Sequence, residues 1–436
     1  MTYLSRAVDI SIQEELTAMG AVLIEGTRGC GKTETGLFHA QSHFRVDQAS
    51  NRHLASLNPA AALDGKIPRL VDEWQLVPSL WNEIRHEIDS RRSPGQFLLS
   101  GSSTPADSIT RHTGAGRISR IRMRPMALGE SHPHPNQLTL SQLRTARQVT
   151  TMPPTLTYTD LATEAIRGGW PLLVASKAKG YSRFVRNYID NITHIDLPQL
   201  GNNFSPERVS RLLRSIARNI ATEATPVTLS KDISSDGGEL SPASVRTYLD
   251  SLTRIFVLEE LPPWSGALRS KSRLRKKTKL HFCDPSLACA ALRTNAKALA
   301  NDPEYFGQIF ESMAVRDIRT YAEQIDANCF GYRDESDLEV DILLEFDDGN
   351  WAGLEVKLGE SDSVISAAEN NLLRLRNSRM VTPPDFLAII TGGTSGHLQS
   401  GRPERLGTGT QTERHTSRFY GNYPDHGSRT RCRNHS

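Results

Sequence analysis

The eight residues GTRGCGKT at 26–33 have the composition of a phosphate cradle. Gly26, Gly29 and Gly31 let the chain turn tightly and bring main-chain N–H groups against an anion, and Lys32 adds a positive charge beside it. Thr33 supplies a hydroxyl able to ligate magnesium, while Thr27, Arg28 and Cys30 fill the open positions of G-x4-G-K-T. An apolar strand, AVLIEG, runs into this turn and a helix opens at about Lys32, which points a helix N-terminus at the phosphates. The ligands implied are ATP and Mg2+.

A cradle that also hydrolyses needs a carboxylate at the end of a neighbouring strand. The stretch LVDE provides Asp72 to hold the metal through water and Glu73 to orient the attacking water. Ser100, closing the run FLLS, is a candidate polar sensor of the terminal phosphate. The segment RHTGAGRISRIRMRP carries Arg111, Arg117, Arg120, Arg122 and Arg124, and Arg117, in the GAGR turn, is the candidate transition-state arginine. A solvated basic face would read the same way.

A second group of chemical residues lies near the C-terminus, in LEVDILLEF-DDGN-WAGLEVKLG, which reads as a hairpin. Alternation puts Val340, Ile342, Leu344 and Phe346 on one face of its first strand and Leu354, Val356 and Leu358 on one face of its second. Asp341, Glu355 and Lys357 then share the other face. Two carboxylates and a lysine so placed suit a magnesium-dependent phosphodiesterase, with Asp341 and Glu355 on the metal and Lys357 positioning water. Glu311, on the preceding helix, could complete the site. Any half-exposed amphipathic hairpin gives a similar pattern.

The elements that must hold these residues follow from periodicity. The first 131 residues alternate strands and helices, the pattern of a parallel α/β sheet. A polar, Pro- and Thr-bearing connection spans 132–154. Within 155–285, PERVSRLLRSIARNIATEA aligns Val209, Leu212, Leu213, Ile216 and Ile220 on one stripe, and SPASVRTYLDSL opens with a Ser-Pro helix start. Three helices and then the strands IFVLEEL and KLHFCD make a winged-helix arrangement. Residues 286–394 form the last α/β unit, and 395–436 turn polar and irregular.

The whole chain of 436 residues has a formal net charge of +3, so its overall balance calls for no nucleic acid. No apolar run reaches about 18 residues, and the N-terminus lacks an apolar signal core, which points to the cytoplasm. Five cysteines at irregular spacing read as free thiols. Local charge is stronger: RSKSRLRKKTK at 269–279 holds seven basic residues and no acidic or aromatic one. As a wing it would lie along DNA phosphates in a salt-sensitive way. A solvated loop is the plain alternative.

The stretches GTRGCGKTETG, RLVDEWQLVPSLWNEIR, LLSGSSTP, RHTGAGRISRIRMRPM, RGGWPLL, HFCDPSLA, FESMAVRDIRTYA, YRDESDLEVDILLE and LEVKLG resemble the AAA-type ATPases of bacteria and archaea that carry a C-terminal domain resembling a PD-(D/E)xK nuclease. The resemblance covers about residues 1–394. It implies a P-loop ATPase domain, a helical and winged-helix region and a restriction-endonuclease-like α/β domain. It also implies the roles given above to Asp72, Glu73, Ser100 and Arg117. The stretch GHLQSGRPERLGTGTQTERH departs from it, as a frameshifted or otherwise altered end would. The expected function is ATP hydrolysis coupled to action on DNA, with a homo-oligomer required if Arg117 acts in trans. The rivals are a non-catalytic nucleotide switch with a C-terminal binding platform, and an ATPase acting on another protein.

Overall fold

A computed structural model describes residues 3–102, 114–133, 138–145, 156–176, 180–200, 204–235, 237–264, 278–377 and 382–392, together with the main chain of 397–400 and 415–416. Five parallel strands open the chain: β1 Ala21–Glu25, β2 Ser42–Arg45, β3 Arg69–Asp72, β4 Phe97–Gly101 and β5 Ile118–Arg122, in the order β2-β3-β4-β1-β5. Their apolar side chains alternate between two cores. Leu23, Val71 and Leu99 pack with Trp74, Trp81 and Ile84, whereas Val22, Ile24, Leu70 and Leu98 pack with Val8, Ile12 and Met123. The three inner strands are the apolar runs legible in the sequence. The outer two, SHFR and ISRIR, are half polar because each has only one neighbour in the sheet.

The middle of the chain is helical. Val209, Leu212, Leu213, Ile216 and Ile220 are all fully buried, as their spacing requires. Ser241 caps the helix Pro242–Arg254 by accepting the N–H of Ser244 at 3.1 Å. The antiparallel pair β6 Leu258–Leu261 and β7 Lys279–Phe282 follows. Most of the basic stretch lies outside the described residues. The connection 132–154 is more than a spacer where it is described. Leu138, Leu140 and Leu143 are buried, and Arg144 ion-pairs with Asp385 at 2.8 Å and with Asp348, while stacking on Phe346.

The last sheet has the order β13-β12-β11-β10-β9-β8, with β8 Ala327–Arg333, β9 Glu339–Phe346, β10 Trp351–Lys357, β11 Phe386–Thr391, β12 His397–Ser400 and β13 His415–Thr416. Helix Pro303–Ala322 covers one face and Asp362–Arg376 the other. The expected hairpin β9–β10 forms, but one residue corrects the reading of its faces. On β9, two residues sit opposite Gly331 of β8, because pairing steps from Phe330–Leu343 to Tyr332–Val340. That bulge breaks the alternation. Val340 therefore packs with Leu343 and Trp351, away from Ile342, Leu344 and Phe346. The short strands β12 and β13 lie in the stretch whose composition is too polar for a core. Edge pairing draws on main-chain groups alone, so composition does not preclude it.

A buried charge network joins the three parts. Glu259 on β6 accepts from Arg124 of the N-terminal part at 2.9 Å and from Arg319 of helix Pro303–Ala322 at 2.8 Å, and Arg124 also reaches Glu323 at 2.8 Å. Burial pushes the Glu259 carboxyl upward, but Arg124, Arg122 and Arg319 outweigh it and hold the group well below the usual carboxylate range. Backbone contact is as close nearby. A Cβ at Gly169 would lie 1.9 Å from the Met126 carbonyl oxygen, so only glycine fits there. Glu259→Ala strands two buried guanidinium groups and should lower unfolding free energy by about 3–5 kcal/mol in a urea titration. Because the folded carboxyl titrates below its unfolded value of about 4.3, its contribution is complete above that pH and is lost as the pH falls further. The variant should lack that acid loss, and equal acid sensitivity in both chains would remove Glu259 from the network.

Candidate nucleotide site and a C-terminal carboxylate cluster

Parallel register gathers the nucleotide site. Ile24, Ser100, Asp72 and Arg45 are partners across β1, β4, β3 and β2, so they form one row at the strand ends, directly below the turn 26–33. Thr33 Oγ1 donates to Asp72 Oδ1 at 3.0 Å and lies 3.2 Å from Oδ2. Ser100 also donates to Asp72, so its hydroxyl holds that carboxylate in this arrangement. Lys32, buried, donates from Nζ to the carbonyls of Gly26 and Thr27 at 2.9 and 2.8 Å. Gly31 has φ +110°, open to glycine at little cost. The first N–H groups of helix Lys32–His39 have no intrahelical acceptor, which leaves them for an anion.

These residues fit ATP and Mg2+. A threonine hydroxyl and a carboxylate in mutual contact are the hard oxygen donors that magnesium takes, and the lysine is near enough to exchange its loop carbonyls for phosphate oxygens. Glu73 stands just past β3 in a left-handed conformation, φ 56°, an arrangement costing about 1–3 kcal/mol that the surroundings must impose. Its carboxylate is held by Gln75 Nε2 at 2.5 Å and Ser102 Oγ at 3.3 Å. Nothing in the residue types LVDE announces that backbone.

The other cradle positions face elsewhere. Cys30 is buried in the core with Val22 and Ile24. Thr27 Oγ1 bonds the Tyr188 hydroxyl at 2.7 Å, the same hydroxyl donates to the Arg28 carbonyl at 2.8 Å, and the Arg28 guanidinium pairs with Asp196 at 2.5 Å. Tyr188 and Asp196 belong to the helix Tyr181–Asn191 and the π-helical turn Ile192–Asp196 that extends it. Arg6, buried, adds a bond to the Cys30 carbonyl at 2.8 Å. Sequence reading missed Arg6, Tyr188 and Asp196, since each is distant in the chain and belongs to no spaced motif.

Arg117 falls at the opposite end of the sheet. Its carbonyl accepts the N–H of Ala21, where β1 begins, and its guanidinium pairs with Asp89 at 2.6 Å. Five residues of strand separate that level from Glu25, about 16 Å at ~3.3 Å per residue. It cannot serve the cradle of its own chain. The rest of the basic run is taken up in pairs: Arg120 with Glu25 at 2.9 Å, Arg122 over the Phe256 ring, Arg124 in the buried network. Arg111 lies outside the described residues.

The C-terminal residues do converge. Pairing of β9 with β10 stops at Ile342–Leu354, and the Asp341 carboxylate takes the next N–H, that of Val356, at 2.8 Å. Lys357 Nζ lies 3.1 Å from Asp341 and 2.5 Å from Glu355. Lys279, counted in the sequence as part of the basic loop, is instead buried here, pairing with Glu311 at 2.8 Å, Glu339 at 2.7 Å and Asp341 at 3.8 Å. It opens β7, and the alternation of that strand turns it inward. Burial and the neighbouring Asp341 charge push Glu355 up to about 8, and the same two causes push Glu311 up to about 7. Asp341 is held low, because Lys357 and Lys279 outweigh its burial. Glu355 Oε1 has no partner, but one open oxygen is no ligand set. Among the described residues no three His, Cys, Asp or Glu side chains converge as metal ligands. Lys357 lies against both carboxylates and Lys279 against Asp341, so a magnesium ion held by Asp341 and Glu355 would have to displace these ammonium contacts.

Three stretches match family models: 19–132 the AAA domain, 158–298 the domain of unknown function DUF8612, and 306–394 the domain of unknown function DUF4143. The chain is 23% identical over 372 residues to the uncharacterized proteins Mb2031c of Mycobacterium bovis and Rv2008c of Mycobacterium tuberculosis, covering 82% of this chain and 75% of each relative. Among solved structures it is similar to the Walker-type ATPase PABY2304 of Pyrococcus abyssi, at 13% identity and TM-score 0.42, over 66% of this chain and 96% of that one. No helix among the described residues is long and apolar enough to cross a membrane. The AAA match spans the cradle, Asp72, Glu73 and Ser100 together, so over residues 19–132 the chain is similar to P-loop domains of the AAA type.

Proposed function

We propose that the chain binds and hydrolyses ATP at the turn 26–33 and uses the cycle to move its helical region. The observation that carries this is the contact of Thr33 with Asp72 beside Lys32 and Glu73, at one end of a parallel sheet. Thr33 and Asp72 would hold the magnesium ion, which when bound neutralises charge on the transferring phosphoryl group. Glu73 orients a water and accepts its proton as the water oxygen bonds to phosphorus. The bond to the ADP oxygen breaks and its electron pair leaves with ADP. Tyr188 and Asp196 grip the loop that surrounds the phosphates, so a shift in that loop is passed to the helix Tyr181–Asn191. Arg117 can take part only on a neighbouring copy, which makes an oligomer part of that role.

For the C-terminal domain the Lys279 plug favours a binding platform over a metal-dependent nuclease. Its partner in this reading is DNA, met through the basic stretch ahead of Lys279 by contacts to the phosphate backbone. Neutralising Arg269, Lys271, Arg273 and Arg275 should weaken binding of a duplex and flatten the slope of log affinity against log salt by roughly one per lost phosphate contact. An unchanged slope would take DNA away from this loop. For the ATPase itself, Glu73→Gln should keep Mg–ATP binding while turnover falls by about 10²-fold or more, measured as phosphate release. Turnover at the wild-type rate would move the catalytic role off Glu73.

A further inference from the structure

The sheet leaves the transition-state cation unassigned within a single chain, and a different arginine stands at the right end. Arg45 closes β2 in the same row as Asp72 and Ser100, and side chains in register on parallel strands point to the same face. Among the described residues it is the only cation within 4.0 Å of the Asp72 carboxylate, Nε lying 3.8 Å from Oδ2. That distance is too long for a hydrogen bond. Asp72 is already engaged by Thr33 and Ser100. The Nε–H of Arg45 is buried without an acceptor, an arrangement rare for a donor of this strength.

The outer part of Arg45 is about 40% exposed. Its outer nitrogen Nη2 pairs with Asp47 at 3.1 Å, and its carbonyl accepts from Asn51 Nδ2 at 3.0 Å. The inner edge of the guanidinium faces the Asp72 carboxylate, to which Thr33 also donates. An acceptor arriving there with ATP is an oxygen of the terminal phosphate. We infer that Arg45 is a catalytic residue of the chain's own site, donating to the terminal phosphoryl group as charge builds on it. The inference rests on the hydrolysis reading above. The role expected of Arg117 thus falls, within one chain, to a residue that no motif marks, because its partner Asp72 comes from another strand.

The test is turnover by Arg45→Ala and Arg45→Lys, with Mg–ATP affinity measured beside it. Turnover should fall by about 10³-fold or more in Arg45→Ala while affinity changes by less than about threefold, within the range known for catalytic arginines. Arg45→Lys should recover little, since a point charge lacks the planar fork. Added guanidinium should restore part of the Arg45→Ala rate. Mixing Arg45→Ala with Lys32→Ala chains should restore nothing, because the cation acts in its own chain. Turnover within about threefold of wild type for both variants, or recovery on mixing, would overturn the assignment. Should Arg45→Ala fail to fold, Arg45→Lys decides: full activity in it rules out a guanidinium role. A wild-type chain that binds Mg–ATP but never releases phosphate would sink the hydrolysis reading and this inference with it, a result distinct from active variants.

Discussion

In a parallel sheet, residues in register stand at one height and face one side, and the candidate chemistry of this chain depends on that constraint. Arg45, Asp72 and Ser100 come from three separate strands, yet pairing sets them in a row under the turn that carries Lys32 and Thr33. A slip of one residue between β3 and β4 would turn Asp72 to the other core and take its carboxylate away from Thr33. The alternating packing of Leu70 and Val71 into different cores resists such a slip. Register here is set by burial on both faces.

The N-terminal domain does not stand alone. Glu259 is shared by guanidinium groups from two other parts of the chain, and Gly169 admits the Met126 carbonyl at a distance no side chain allows. Tyr188 and Asp196 hold the cradle from the helical side. A change of loop shape at the phosphates therefore meets two kinds of resistance: hydrogen bonds at the loop, which can exchange, and a desolvated charge network, which is costly to open. Arg6 links the two, since it donates to the Cys30 carbonyl of the loop, to the Arg124 carbonyl and to buried Glu130. Such links suit a protein that passes a local change outward without coming apart.

Much of this was legible in the sequence where a motif is local. GTRGCGKT, LVDE and FLLS each name their residues, and the inner strands announce themselves by apolar runs. The C-terminal hairpin was legible from alternation, and Asp341, Glu355 and Lys357 lie in contact on it. The bulge that displaces Val340 was not, since it depends on the pairing with Gly331. Lys279 looked like one of a basic run, and only the pairing of β7 with β6 shows it directed at Glu311 and Glu339. Arg117 has a fitting local setting and the wrong height in the sheet. Arg45 has the right height and no local signal. Long-range placement is where spacing in the chain loses its meaning.

Phosphate release from Mg–ATP by the purified wild-type chain, with and without a chelator, tests the central claim most directly. The account predicts steady release that stops when Mg2+ is removed. Stoichiometric, lasting binding of Mg–ATP with no release would contradict it and leave a nucleotide switch in place of an ATPase.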